Sequence, residues 1–148
     1  MKQDARTAAL QALLQVEESE GYSNIVIDKT IRQMALPPRE AALASALFYG
    51  VLEKRIAIDW ALNRFCKKPV EKLDAPVREA LRLAVCQILY MDKIPDSAAV
   101  NEAVKACRQA GKSSAAGFVN GVLRNLLRQR ENLPWPQTGD EALSIRYG

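Results

Sequence analysis

Gly117, Gly121, Arg124 and Arg128 fall at i, i+4, i+7 and i+11, so on a helix they make one stripe with a bare end and a cationic end. A guanidinium is planar, stays charged and offers two donors at once to a phosphate, so such a stripe could grip a polyanion. Lys112 ahead of it and Arg130 beyond it add two charges, with only Glu131 opposing them locally. An ordinary solvated face, its cations complementing the negative C-terminal end of a helix, accounts for the same residues, and spacing leaves both readings open. Each glycine costs about 1 kcal/mol relative to alanine inside a helix. Two in one row therefore point to close packing within the domain or to an interface with a partner. Lys2 and Arg6 form a weaker basic pair that matters only if the first and last helices are neighbours. Lys54 and Arg55 with Arg64, Lys67 and Lys68 read as a solvated turn between helices.

Other chemistries lack their parts. The chain has no histidine, which removes histidine acid–base work and every histidine-containing metal site or triad. Cys66, Cys86 and Cys107 are odd in number, widely spaced and set in apolar helical patterns, so they read as buried structural thiols and not as a disulfide framework or zinc site. Glu17, Glu18, Glu20, Glu40, Glu53 and Glu79 show no metal or acid–base spacing and read as surface charge. No glycine-rich loop follows a strand, so no cofactor pocket, metal site or catalytic residue is expected in this chain.

The elements that would position the stripe are all helical. With 148 residues, 49% hydrophobic and 26% charged, the chain can bury one core. Ala5, Ala8, Ala9, Ala12, Leu13 and Val16 share a helix face behind Asp4 as a cap. Ser23 can cap a second helix carrying Ile27, Ile31 and Met34. Pro38 suits the first turn of a third, with Leu43, Ala46, Leu47, Gly50 and Val51 inward. Ile58, Leu62 and Phe65 belong to a fourth helix or a bent continuation of the third. Asp74 and Pro76 open the clearest helix, which buries Val77, Leu81, Ala84, Val85 and Ile88. Asp96 or Ser97 can cap the next, with Val100, Ala103, Val104 and Cys107 inside. It ends near Gly111, and Ser113 or Ser114 can cap the last, with Val119, Val122, Leu123 and Leu126 buried. Strand alternation is absent, so the expected fold is all-α, a bundle of about seven helices over residues 1–132. Residues 133–148 open on Leu133-Pro134-Trp135-Pro136 and read as a proline-containing linker followed by the start of a truncated downstream region. No stretch reaches the length of a membrane span and no secretion signal is present, so a cytoplasmic location is expected. The net charge of +4 and a pI near 9.1 favour a polyanionic partner.

Three segments resemble the NusB family. They are Ala46-Leu47-Phe48-Tyr49-Gly50-Val51-Leu52 followed by Ile58-Asp59-Trp60, then Leu81 to Tyr90 leading through Ile94-Pro95 into Ala98 to Val104, and finally Phe118-Val119-Asn120-Gly121-Val122-Leu123-Arg124. With Arg146-Tyr147-Gly148 they are most similar to the NusB-like N-terminal domain of the Sun/Fmu family of bacterial 16S rRNA cytosine-5 methyltransferases. The resemblance implies an all-α RNA-binding domain that positions rRNA for methylation by a downstream S-adenosylmethionine-dependent domain outside this chain. The catalytic cysteines and the cofactor would lie in that domain, making rRNA and the enzyme's own downstream domain the partners. Arg124, Arg128, Arg130 and Lys112, with Arg6 and Lys2, are then the RNA-binding candidates, and Gly117 and Gly121 the interface candidates. Two alternatives stand beside this reading. One is a free-standing NusB-type antitermination factor, whose arginine-rich N-terminal segment is matched here only by Lys2 and Arg6. The other is a protein-interaction module docking on the catalytic domain.

Overall fold

In the computed structural model, which describes residues 4–19 and 22–136, Asp4 opens the first helix by accepting a hydrogen bond from the Thr7 backbone N–H at 2.9 Å. The described residues hold six α-helices and three short 3-10 turns, with no strand among them. They fall into two compact units, residues up to Gly50 and residues from Val51 on.

The first unit contains α1 (Ala5–Ser19), α2 (Ser23–Gln33) and the opening of α3 (Pro38–Asn63). Ala5, Ala8, Ala9, Ala12 and Leu13 are buried, as their spacing predicts. Glu40 accepts from the Ala5 backbone N–H at 3.2 Å, so this carboxylate serves a helix start and is not idle surface charge. On α2, Val26 and Ile27 are buried beside Thr30, whose hydroxyl donates to the Val26 carbonyl at 2.8 Å. The expected cap at Ser23 does not form: Tyr22 holds the cap position without a side-chain hydrogen bond. Ala35 then takes a left-handed conformation (φ 51°) that ends the helix, a role glycine usually fills.

The face that α3 buries differs from the expected one. Ala44, Leu47, Phe48 and Val51 are inside and Ala46 is exposed. Leu43 to Val51 is apolar almost throughout, so helical periodicity alone cannot choose the face. Further on, Lys54 leaves helical geometry (φ −105°, ψ 15°) and the helix resumes with Ala57, Ile58, Ala61 and Leu62 buried. Of the two possibilities, the bent continuation is the one that forms, which corrects the count from seven helices to six.

The second unit is built on α4 (Ala75–Tyr90), in which every residue from Val77 to Ile88 is buried. Against it pack α5 (Asp96–Gln109) and α6 (Ala116–Gln129), which also touch each other. Gly111 closes α5 at φ 76°, where the Lys112 N–H bonds the Cys107 carbonyl at 2.8 Å and that of Gly111 the Arg108 carbonyl at 3.1 Å. Neither expected cap of α5 operates, since Pro95 precedes the helix without a side-chain bond. A 3-10 turn at Ser113–Ala115, not a serine cap, leads into α6.

A helix buried on all sides must satisfy every polar group it carries, and α4 carries Arg78, Glu79, Arg82 and Gln87. Arg82, 2% exposed, grips Asp59 of α3 through Nε (2.8 Å) and Nη2 (2.7 Å) and reaches Glu79 through Nη1 (2.8 Å). Arg78 Nε donates to the same Glu79 oxygen at 2.9 Å, and Gln87 donates to the Leu83 carbonyl at 2.8 Å. Glu79 is therefore a core residue, a correction to its reading as surface charge. Among the described residues no buried side-chain nitrogen or oxygen lacks a partner. Burial opposes the charge on Arg82, but the hydrogen bonds and charges of Asp59 and Glu79 outweigh it and hold the guanidinium above its ordinary pKa. Arg82→Met would leave Asp59 without its partner and Glu79 with Arg78 alone, and should cost about 3 kcal/mol, read as a lowered urea midpoint at unchanged slope. A loss under about 1 kcal/mol would show that water reaches the cluster.

Candidate nucleic-acid interface

The outer face of α6 carries the stripe anticipated from spacing. Val119, Val122, Leu123 and Leu126 turn inward, while Gly117, Arg124 and Arg128 are exposed and Gly121 is half-buried. A Cβ built on Gly117 or Gly121 meets nothing within 4 Å. Close packing among the described residues is therefore not what either glycine serves, and the bare end of the stripe is open.

The four cations expected on or beside this helix separate into two kinds. Lys112 Nζ lies 3.3 Å from the Asp74 carboxylate, and Arg130 Nη1 lies 3.0 Å from Asp96 with Glu131 3.8 Å from its Nε. Arg124 and Arg128 instead meet neutral amides: Arg124 Nε donates to Asn120 Oδ1 at 3.1 Å, and Arg128 Nη2 donates to Asn125 Oδ1. Among the described residues neither faces a carboxylate. An amide positions a guanidinium without neutralising it, so these two side chains keep their full charge for an anion. Arg6 lies in the first turn of α1, in the other unit, and Lys2 lies outside the described residues.

The second basic cluster is not simply a solvated turn. Lys54 Nζ stands 5.5 Å from the centroid of the Tyr90 ring, and the Arg64 guanidinium 5.4 Å from that of Trp60. Trp60 is also stacked on Trp135, with centroids 4.6 Å apart and an interplanar angle of 25°. Past it opens a cleft of about 480 Å³ lined by Ile88, Leu89, Tyr90, Asp92, Arg130, Glu131 and Trp135. Sequence reasoning missed this cleft. Its one signal was a tryptophan between two prolines, an apolar anchor in a stretch read as linker.

Residues 3–128 match the NusB family. The chain is 40% identical over 133 residues to the Probable ribosomal RNA small subunit methyltransferase B of Bacillus subtilis (strain 168), covering 90% of this chain and 29% of that protein. It is 33% identical over 123 residues to the transcription antitermination protein NusB of Xanthomonas axonopodis pv. citri (strain 306), covering 83% of this chain and 77% of that one. The chain thus spans under a third of the methyltransferase relative and most of the antitermination one. Among solved structures, the antitermination factors NusB and NusE in complex with dsRNA include a chain that superposes with a TM-score of 0.78 at 18% identity, covering 85% of this chain and 95% of that one. T. maritima NusB does so at 0.78 with 24% identity, covering 84% and 89%. At these identities the structural likeness establishes the fold, which is the all-helical one expected.

The cysteines lie away from the arginine stripe in chemistry as well as in sequence. Cys86 and Cys107 are buried, and Cys66, expected to be buried, is only half so. Burial, aided by the charge of Asp59, pushes the Cys66 thiol up to about 11; burial, aided by Glu53, does the same for Cys86. Burial also raises Cys107. At pH 8 a thiol with pKa 11 is ionised to about one part in a thousand, so alkylation of the folded protein should be slow, with Cys66 labelled first. Raised thiol pKa values favour the folded state below the ordinary value of 9.0 and lose that contribution as pH rises through about 11. Iodoacetamide labelling read by mass spectrometry checks this. Rapid labelling of Cys86 in the folded protein at pH 8 would contradict it.

Proposed function

The chain belongs to the NusB family, and from that premise we propose that it is an RNA-binding domain whose task is to hold rRNA for a methyltransferase region that follows it in the intact protein. The observation that carries this reading is the methyltransferase match over nine-tenths of this chain. The stripe on α6 supplies the physical means, two guanidiniums held by amides on an exposed and sterically open helix face. Gly117 and Gly121 let a phosphate backbone, or a surface of the downstream region, come close to the helix at the bare end. Lys112 and Arg130 contribute less, being engaged by carboxylates, and Lys2 and Arg6 are proposed only as secondary contacts.

On this reading S-adenosylmethionine supplies the methyl group in the downstream region. On the same reading the steps of the transfer belong to that region and the part of this chain is to bind. Its contribution is to raise the concentration of rRNA beside the reacting groups, toward about mM for a short tether. The division expected after residue 132 moves in this proposal to beyond Trp135, since Leu133 is buried and Trp135 stacks on Trp60.

A second reading, a free-standing antitermination factor, is favoured by the Xanthomonas relative, of which this chain covers most. The mass of the native polypeptide separates the two. A product several times the 16.4 kDa of this chain supports the methyltransferase, and one near that mass supports the factor.

The RNA assignment is tested by filter binding against salt. Replacing both Arg124 and Arg128 by Gln should weaken binding to single-stranded rRNA segments and flatten the salt slope by about 0.7 for each phosphate no longer engaged. An unchanged affinity and slope in the double variant removes the stripe from the RNA site.

A further inference from the structure

The cleft beside the Trp60–Trp135 stack has a composition unlike that of the α6 stripe. Its aromatic walls, Tyr90 and Trp135, are backed by Lys54 over the one and by Trp60 with Arg64 behind the other. Its polar lining is mixed in sign: Arg130 donates, while Asp92 and Glu131 accept. Asp96 engages one N–H of Arg130 and Glu131 lies 3.8 Å from its Nε, and a guanidinium has five N–H groups, so donors remain for a ligand. With one guanidinium and two carboxylates in the lining, electrostatics gives a phosphate no reason to enter. A flat neutral group that can stack, and that carries both hydrogen-bond donors and acceptors on its edge, matches every part of the lining. Unpaired nucleobases have that chemistry, stacking on aromatic rings while side chains read their edges. Adenine offers an amino group beside ring-nitrogen acceptors, and uracil an imide N–H beside carbonyls; cytosine and guanine set an amino group and a carbonyl oxygen on one edge, the stronger match to the carboxylates and the guanidinium respectively.

We infer that this cleft is a base-reading pocket that takes an unstacked cytosine or guanine from a single-stranded segment of RNA, separate from the phosphate-binding stripe on α6. The pocket rests on the proposal that the chain meets RNA, but it differs in what drives binding. The stripe acts through charge and is salt-sensitive. The pocket acts through stacking and edge hydrogen bonds and contributes affinity with little salt dependence.

Trp60 and Trp135 are the only tryptophans in the chain, so a base stacking at Trp135 reports itself by quenching intrinsic fluorescence. The test is a quenching titration of the full chain with short oligocytidine, oligouridine and oligoadenosine strands. Oligocytidine should quench most strongly. Tyr90→Leu, which keeps bulk but removes the ring, should weaken its binding by about tenfold, and Trp135→Leu, followed through Trp60, by a similar factor. Tyr90→Phe should stay within about twofold, because the ring and not the hydroxyl is what stacks. None of these changes should alter the salt slope. Equal binding of all three strands by the wild type, or an unchanged oligocytidine affinity in Tyr90→Leu with its fold intact by circular dichroism, overturns the pocket. If instead the Tyr90 and Trp135 variants lose binding while the Arg124/Arg128→Gln variant binds like wild type, the pocket stands and the stripe is what fails.

Discussion

The second unit depends on one buried charge. Arg82 sits in the middle of a helix with no solvent face, and a guanidinium there is tolerated only if its donors are taken and its charge is balanced. Asp59 and Glu79 do both, the first across helices and the second one turn back on the same helix. The demand propagates to the part of α3 after Lys54, which must bring Asp59 to Arg82. The next residue, Trp60, holds Trp135 by stacking. Two consecutive side chains on one helix therefore fix two other elements, α4 by charge and the segment after α6 by ring contact.

The surface follows the opposite rule. In the core, cations meet carboxylates and charge is balanced locally. On α6, Arg124 and Arg128 meet amides, which order the side chains and leave their charge uncompensated. Self-repulsion at exposed positions costs little in water, since an exposed pair contributes at most about 1 kcal/mol either way. The fold therefore tolerates two uncompensated guanidiniums side by side on a helix without loss, and those are the groups an anionic partner would engage. Lys112 and Arg130, paired with Asp74 and Asp96, are closer to the core's rule and are weaker candidates for the same reason.

How much of this could be read from sequence depended on whether the deciding contact was local. Asp4 as a cap, Gly111 as a helix end and the buried rows of α1 and α6 are settled within a few residues, and spacing anticipates them. The buried charges of α4 are not local, because Glu79 among the other carboxylates carries no mark that Arg78 and Arg82 will enclose it. The face of α3 was ambiguous since Leu43 to Val51 is apolar on nearly every side. In the candidate site, spacing located the stripe but could not say which cations would find carboxylates, because Asp74 and Asp96 approach only through the tertiary fold. The cleft was harder still. It is assembled from α4, the turn after it, and Trp135, which composition assigned to a linker.

Trp135 also bears on how a domain that only binds could serve a reaction elsewhere. On the proposed reading the chain continues into a catalytic region, and any tether to it would begin beyond the last anchored residue. Leu133 is buried and Trp135 is stacked, so the anchored part extends past the 3-10 turn at Arg130–Asn132. Effective concentration falls roughly as the three-halves power of tether length once the tether can span the distance, so each residue drawn into the fold raises it. A stack between two tryptophans, together with the burial of Leu133, then does for the segment after α6 what the Arg82 cluster does for the helices: it fixes where that segment leaves the fold.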